Sequence, residues 1–316
     1  MREENASGPL QALLPHAALF LSVTFLGTSF VAARAIMDHS DGPATLGMLR
    51  YVGGALCLLP FVLAARHWRM QPKSVAAALA LGVLQFGVFH LSINTALQEI
   101  PAARGAVIFA LIPILTMLIA AAFGRDRITA MMTFASILSF IGVGLAVGEA
   151  AFRPAATGGG SLRGEALFLF AVCCGATYNA LSARLYQNHS VLAVSILTMT
   201  GGFLFLTAFS IPEGTVEMVS AYAGDDWLWL AWLILPGGAM SMALFNFGLR
   251  RLGPSRAAIW VPLSPIAATA AGAALLGETI TPLFLVGLAC AVSGPLLVSW
   301  SRARAARKAA MTPPAA

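Results

Sequence analysis

Apolar stretches of about twenty residues recur along this chain, and they constrain its fold more than any other feature. A helix needs about 20 mostly apolar residues to cross a bilayer core of about 30 Å. Only 10% of the 316 residues are charged, whereas an ordinary soluble domain has roughly 25%. We therefore predict an all-α membrane protein with the lipid bilayer as its surroundings.

The apolar runs predict ten transmembrane helices. Charged or turn-forming segments such as 124–127 (GRDR) separate the runs, because such residues cannot lie in hydrocarbon without a large cost. The predicted spans are residues 15–35, 44–64, 74–97, 103–122, 129–148, 165–185, 190–212, 227–248, 255–276 and 281–300.

The Lys and Arg residues predict the orientation of these spans. With a cytoplasmic N-terminus, the opposite side of the membrane holds only Arg34, Arg104, Arg153 and Arg163, and nearly all other basic residues lie in cytoplasmic segments. The positive-inside rule then places both termini in the cytoplasm and the protein in the inner, cytoplasmic membrane. This distribution accounts for the net charge of +6, so we expect no nucleic-acid partner.

The first apolar run also has features of a secretory signal. ALFLSVTFLG is followed by the small residues AARA at 32–35, which are typical of a cleavage site. The preceding segment, MREEN, is poorly basic, and the internal duplication described next requires this helix. We therefore favour a retained first transmembrane helix.

One apolar phrase occurs twice, as AARGAVIFALIPI at 102–114 and PSRAAIWVPLSPI at 254–266. The offset of 152 aligns Arg104 with Arg256 and Pro113 with Pro265. Because a duplicated unit of five helices is odd, its second copy crosses the membrane in the opposite sense, which gives inverted repeats of the kind found in many secondary transporters. The predicted organisation is a first repeat at 1–148, a Gly-rich linker at 149–164, a second repeat at 165–300, and a basic then disordered cytoplasmic tail at 301–316.

Four stretches carry a resemblance to a known family. They are GTSFVAARA (27–35), PATLGMLRYVGG (43–54), AARGAVIFALIPILTMLIAAAFGRDRIT (102–129) and PSRAAIWVPLSPIAATAAGAALLGETIT (254–281). With them the chain resembles the EamA family of the drug/metabolite transporter superfamily from about residue 15 to 300. The resemblance implies a ten-helix inner-membrane protein that exports amino acids, related metabolites or drug-like amphiphiles.

Prolines predict irregular helices in both repeats. Pro113 and Pro265 each remove a backbone donor and free the carbonyl four residues back. We predict that the fourth and ninth helices bend there beside the transport path, and that Pro262 makes the ninth the more irregular. The alternative is a tolerated kink without a role in transport.

Polar side chains within spans predict the substrate site, because they are costly in a membrane. Phe86, His90 and Asn94 follow at a spacing of four and share one helix face. Arg50 is the one basic residue placed inside a span, at about the depth of His90, so the two side chains could bind a carboxylate together. Alternatively, Arg50 reaches outward to Asp38 or Asp41 as a structural pair.

Three further residues complete the predicted substrate-binding set. Tyr178 and Asn179 lie in the middle of the sixth span, and Trp260 lies near the inner third of the ninth. Tyrosine and tryptophan combine an apolar body with one polar tip. Trp260 could equally belong to the aromatic belt at the membrane interface.

The leading hypothesis is a carrier that moves a small organic molecule, in the direction of efflux, by alternating access. No predicted span has an Asp or Glu at its centre, which favours a facilitator or exchanger; His90 is the candidate for proton coupling. The alternatives are a proton-coupled exporter of drug-like compounds, an integral-membrane enzyme and a passive channel. The sequence has no HExxH or GxSxG motif, so we expect no enzyme, metal or cofactor, and we expect a monomer or weak homodimer.

Overall fold

The computed structural model describes residues 9–64, 70–123, 129–151, 161–189, 191–252 and 260–311, and its regular structure in these ranges is helical throughout. The first half contains α1 (Pro9–Met37), α2 (Pro43–Ala64), α3 (Pro72–Gly82), α4 (Phe89–Glu99), α5 (Ala102–Phe109), α6 (Ile112–Ala122) and α7 (Ala130–Ala151). The second half contains α8 (Leu162–Asn188), α9 (Val191–Ser210), α10 (Thr215–Ser220), α11 (Gly224–Ile234), α12 (Ser241–Leu252), α13 (Ser264–Leu276) and α14 (Pro282–Met311).

Six helical segments of the described chain are long and apolar enough to cross a membrane: Leu13–Met37, Pro72–Glu99, Ala102–Ala122, Leu162–Ser182, Ala193–Glu213 and Gly224–Phe245. Three shorter apolar segments accompany them, Thr133–Ala146, Val261–Leu276 and Pro282–Val298. The all-α class is confirmed, whereas the count of ten spans and the cytoplasmic position of both termini stay predictions. Residues 1–8 and 312–316 lie outside the described residues, as does most of the predicted linker, at 152–160.

Two of the long helices contain a π-helical turn at equivalent positions. Val83–Val88 joins α3 to α4, and Leu235–Met240, beginning 152 residues later, joins α11 to α12. Pro236 removes a backbone donor in the second turn, which accounts for the irregularity there. The first turn has no proline. Because isolated π-helical turns occur frequently at functional sites, this pair indicates where a substrate site could lie.

The prolines predicted to bend helices lie just after two further irregularities. Pro113 is the second residue of α6, where the path of α5 is interrupted, and Pro265 is the second residue of α13. Pro262 lies within the 3-10 turn Val261–Leu263 that precedes α13. Equivalent hydrogen bonds close the two irregular turns, from Leu111 N to Ile108 O at 3.1 Å and from Leu263 N to Trp260 O at 3.0 Å. Whether the helices pivot at these prolines during transport stays a prediction.

Close contacts at glycines bring the helices of the two halves together. A Cβ atom on Gly27 of α1 would lie 2.3 Å from the carbonyl oxygen of Ser264, so α1 and α13 touch backbone to backbone. A Cβ atom on Gly202 of α9 would lie 2.2 Å from the Cβ atom of Phe86. Small residues permit such approaches between membrane helices, and here they place α9 directly against the first π-helical turn.

Candidate functional site

Aromatic side chains from three helices meet beside the first π-helical turn. Phe86 lies within this turn, and its ring centroid is 5.2 Å from that of Tyr51 on α2 and 6.1 Å from that of Tyr178 on α8. The His90 ring stacks parallel to Phe86 at 6.3 Å and lies 4.9 Å from Phe89. The two halves of the chain therefore share one aromatic cluster, because α8 belongs to the second half.

Hydrogen bonds orient the His90 ring within this cluster. The hydroxyl oxygen of Tyr51 lies 2.7 Å from Nδ1 and 2.8 Å from Nε2 of His90, and Nδ1 lies 3.1 Å from the carbonyl oxygen of Gln85. A bond donated by Nδ1 to that carbonyl leaves Nε2 as the acceptor for the Tyr51 hydroxyl. The imidazole is thus held by one residue of its own helix and by one residue of α2.

Arg50 reaches the second π-helical turn. One of its guanidinium nitrogens donates to the carbonyl oxygen of Gly237 at 3.4 Å. Gly237 follows Gln85 by 152 residues, so carbonyls at equivalent positions of the two π-helical turns accept bonds from Arg50 and His90. Asp38 pairs with Arg34 at 2.7 Å, and among the described residues no ion pair joins Arg50 to Asp38 or Asp41, so the structure does not have the alternative pairing.

Arg50 has donors to spare for an anionic group. A guanidinium carries five N–H donors in a planar fork, and no carboxylate of the described chain forms an ion pair with it. Its recorded partner is a neutral carbonyl at the long end of hydrogen-bond distance. A carboxylate arriving in the site would therefore find a positively charged partner that is not neutralised by a described neighbour.

Two of the predicted substrate residues lie away from this cluster. Asn94 is buried, and its amide donates to the carbonyl oxygen of Pro43 at 2.8 Å, which ties α4 to the start of α2. Trp260 packs against His16 and Phe20 of α1, at ring distances of 5.9 and 6.4 Å. In this conformation both side chains serve contacts between helices, and the structure does not bring them to the other predicted residues.

Asn179 has an exposed side chain on an otherwise buried helix face. Phe168, Val172 and Gly175 precede it on α8 at spacings that put all four residues on one face. The first three are buried, and Asn179 is exposed. The exposed side of α8 that carries Leu169 points elsewhere, so Asn179 is an exposed residue on the buried face, one residue from Tyr178.

Tyr51 and Gln85 belong to the site although the sequence did not assign them. Tyr51 follows Arg50 directly, and Gln85 precedes Phe86, so both were neighbours of assigned residues. Adjacent residues of a regular helix point about 100° apart. The helix geometry therefore gave no reason to assign Tyr51 to the same site as Arg50, or Gln85 to the same site as Phe86. The contact of Tyr51 with His90 depends on how α2 and α4 pack, and the position of Gln85 depends on the π-helical turn.

Acidic side chains of the second half bind to the first half at one end of the molecule. This is the end where α1 ends and α2 begins, and it is here named the predicted outer end. Glu213 accepts bonds from the backbone nitrogens of Ala44 and Thr45 at 3.0 and 2.8 Å, at the start of α2. Glu278 accepts bonds from the backbone nitrogens of Ala102 and Ala103 at 2.6 and 3.0 Å, at the start of α5. Carboxylates stabilise helix N-termini in this way. Asp126, the counterpart of Glu278, lies outside the described residues.

A cavity of about 470 Å³ lies at the predicted outer end. Asp226 at its rim binds Nε2 of His39 at 2.8 Å and the backbone nitrogen of Ala223 at 2.9 Å. Two carboxylates of the cavity, Asp226 and Glu278, are therefore already engaged in contacts between the halves. Its lining includes Arg34, Asp38, His39, Asp225, Asp226, Trp229 and Glu278.

Known proteins of similar sequence are transporters. A transporter of Archaeoglobus fulgidus, uncharacterized by name, is 25% identical over 291 residues, with 89% of this chain and 96% of that protein covered. The uncharacterized inner membrane transporter YedA of Escherichia coli K12 is 24% identical, with 91% of each chain covered. A Streptantibioticus cattleyicolor protein named a probable terminal-alkyne amino-acid exporter is 26% identical, with 94% and 96% covered.

A solved crystal structure and a family model complete the comparison. The crystal structure covers 92% of this chain and 98% of its own, with a TM-score of 0.59 at 18% identity, and this likeness supports the fold alone. The model of the EamA-like transporter family matches residues 13–148 and again 162–300. With its apolar helices, the chain is a multi-pass inner-membrane transporter. These two matches span most of the chain, which belongs to the EamA-like transporter family.

Proposed function

We propose that this protein is a secondary carrier that exports amino acids or related amphiphilic solutes across the inner membrane by alternating access. The observation that carries the proposal is the cluster of Tyr51, Phe86, His90 and Tyr178 within apolar helices at the meeting of the two halves, with Arg50 directly before Tyr51 on α2. A guanidinium suits a carboxylate, and aromatic rings suit an apolar side chain. Together they fit a solute with one anionic end and an apolar body.

The contacts of the two ends support alternating access. At the predicted outer end, Glu213 and Glu278 bind helix N-termini across the halves. Beside Tyr178, in contrast, Asn179 is exposed on a face of α8 that is otherwise buried. This combination fits a carrier that is closed outward and open toward the predicted cytoplasmic side, from which an exported solute would enter.

The environment of His90 favours a carrier without proton coupling. Both ring nitrogens have partners, the Tyr51 hydroxyl and the Gln85 carbonyl oxygen. A coupling group has to exchange protons with water during each cycle, which would require these bonds to break. We therefore assign His90 to orientation of the site, and proton-coupled export of drug-like compounds remains the second candidate.

Counterflow in proteoliposomes tests the proposal. Vesicles preloaded with one unlabelled amino acid at a time would be tested for uptake of the same labelled amino acid, with and without a pH gradient. We expect saturable counterflow that is independent of the gradient. Arg50→Gln should lower kcat/KM by about tenfold or more, because it removes a charged hydrogen-bond donor from the interior.

A matched substitution controls for the loss of charge. Arg163→Gln removes an exposed guanidinium that pairs with Glu99 at 2.8 Å, and it should leave counterflow unchanged. Flux that does not saturate would indicate a channel. Accumulation that follows the pH gradient would support the proton-coupled exporter instead, and turnover of a lipid would indicate an enzyme.

A further inference from the structure

The side chain of Gln85 presents an unused acceptor inside the protein. Its Oε1 atom is buried and has no hydrogen-bond partner in the described structure. Buried polar side-chain atoms are rarely left without a partner, and each exception calls for an explanation. The backbone of the same residue is engaged, because its carbonyl oxygen accepts from His90.

Close packing of α8 on the first π-helical turn and α4 surrounds this oxygen. A Cβ atom on Gly175 of α8 would lie 3.5 Å from Oε1 of Gln85 and 2.9 Å from the ring of Phe89. Gln85 also lies within the π-helical turn Val83–Val88, beside Phe86 of the aromatic cluster. The unused oxygen is therefore held at the substrate cluster by the helices around it.

Arg50 and the side chain of Gln85 have opposite hydrogen-bonding character. Arg50 only donates and is positively charged, whereas the amide oxygen of Gln85 only accepts. A simple carboxylate would satisfy Arg50 and leave Oε1 of Gln85 unpaired. A zwitterion would satisfy both, with its carboxylate at Arg50 and its ammonium group at Gln85.

The second half has no competing acceptor side chain at the equivalent position. The residue 152 positions after Gln85 is Gly237, which contributes only its backbone carbonyl and uses it for Arg50. Of these two equivalent positions, only the one on the first π-helical turn therefore carries an acceptor side chain.

We propose that Gln85 is the residue that selects zwitterionic amino acids over simple carboxylates, by accepting a hydrogen bond from the ammonium group of the substrate. This inference rests on the proposed function. It adds a specificity residue to the site and commits the substrate class to amino acids with an aromatic or other large apolar side chain, because the rings of Phe86 and Tyr178, 6.1 Å apart, belong to the same cluster.

Three ligands that share a phenyl group test the proposal. Phenylalanine has both charged groups, 3-phenylpropionate lacks the amino group, and 2-phenylethylamine lacks the carboxylate. Each would be measured by counterflow in proteoliposomes and by thermal stabilisation of the purified protein. For the wild type we expect phenylalanine to be preferred over both analogues. In Gln85→Leu, the preference for phenylalanine over 3-phenylpropionate should fall by about tenfold or more, since a buried bond to a charged group is lost.

Two further variants make the result specific. Gln85→Glu keeps the acceptor and adds a negative charge, so the preference for phenylalanine over 3-phenylpropionate should rise above that of the wild type. Gln71→Leu makes the same chemical change at an exposed residue that forms no side-chain cap, and it should leave all three ligands unaffected.

The outcomes separate this inference from the proposed function. If the wild type transports phenylalanine but Gln85→Leu and Gln85→Glu leave the preference unchanged, the role of Gln85 is wrong and the carrier function stands. An equal loss for all ligands in Gln85→Leu, without a gain of preference in Gln85→Glu, also overturns it. If the wild type neither binds nor moves any of the three but shows counterflow of another amino acid, the inference fails alone. If no amino acid of the counterflow panel moves either, the proposed function fails and takes the inference with it.

Discussion

Ser139 and Ala291, which are 152 residues apart, touch each other: the Ser139 hydroxyl donates to the Ala291 carbonyl oxygen at 3.1 Å. The same offset relates Arg104 to Arg256 in the sequence. Ser139 and Ala291 are therefore equivalent positions of the two repeats that contact each other. A contact of this kind lies on the axis that relates two repeats. The crossing of α7 and α14 therefore supports an internal twofold axis, as inverted repeats require.

Two neighbouring glycine contacts at the crossing of α7 and α14 are also related by the offset of 152 residues. A Cβ atom on Gly142 would lie 2.2 Å from the backbone nitrogen of Ala291, and one on Gly294 would lie 2.0 Å from the hydroxyl oxygen of Ser139. Gly142 and Gly294 are themselves 152 residues apart. Each glycine thus lets its own helix approach the equivalent part of the other helix closely.

Substitution of Gly142 should destabilise the protein. In Gly142→Ala the new methyl group would overlap backbone atoms of α14, and we expect a loss of about 1–3 kcal/mol, typical of overpacking. The measurement is thermal unfolding in detergent, where the melting temperature should fall. Gly144→Ala is the control, because a Cβ atom there has nothing within 4 Å. Equal melting temperatures for the two variants would contradict the packing described for α7 and α14.

Removal of the Glu278 carboxylate should loosen the predicted outer end. Glu278→Gln keeps one acceptor for the start of α5 but loses the charge. We expect this to reduce the free energy that favours the closed outer end by about 1 kcal/mol. In a variant without native cysteines, Ala35→Cys at the outer cavity should then react faster with a membrane-impermeant maleimide.

The control for this experiment is Glu217→Gln, which removes an exposed carboxylate of α10 at the same end. It should leave the labelling rate of Ala35→Cys unchanged. Identical rates in the Glu278→Gln and Glu217→Gln backgrounds would mean that Glu278 does not hold the outer end closed.

Asn179 should be accessible to water from the predicted cytoplasmic side. A cysteine at this position, Asn179→Cys, is expected to react with a hydrophilic maleimide added to inside-out vesicles, and transported substrate should slow the reaction. Native Cys173 is the control, because it is exposed on the side of α8 that carries Leu169 and Phe170, where lipid would keep the reagent away. Equal reaction of both thiols would argue against an open space beside Tyr178.

Trp260 should contribute to stability more than to substrate affinity in this conformation. Its ring packs on His16 and Phe20, so Trp260→Ala should lower the melting temperature by the equivalent of about 3 kcal/mol. KM for a transported amino acid should stay within about twofold of the wild type. An increase of KM with unchanged stability would show instead that Trp260 reaches the substrate in another state of the cycle.

The sequence predicted the backbone well where a residue type has a local effect. Pro113 and Pro265 change the hydrogen bonding of their own helix, so the irregular turns before them could be located in advance. The first π-helical turn, Val83–Val88, could not, because it has no proline or other local signal and depends on packing against α9 at Gly202.

The candidate site was only partly predictable for a related reason. A polar residue in a membrane span must find a partner, but the helix face alone does not say whether that partner is protein or solute. Asn94 and His90 share one face, yet Asn94 is satisfied by the carbonyl of Pro43 while His90 joins the aromatic cluster. Tyr51 was missed because its contact with His90 arises only when α2 packs on α4.

The two π-helical turns have similar backbones but opposite side-chain content. Gln85 and Phe86 fill the first, whereas Gly237 and Gly238 leave the second bare, and a Cβ atom on Gly237 would lie 2.1 Å from the hydroxyl oxygen of Ser29. Saturation mutagenesis should therefore return different tolerance patterns for these related segments. The first would reject changes of chemical type, and the second would reject any increase in volume, so two segments that share a backbone geometry would be constrained by different physical properties.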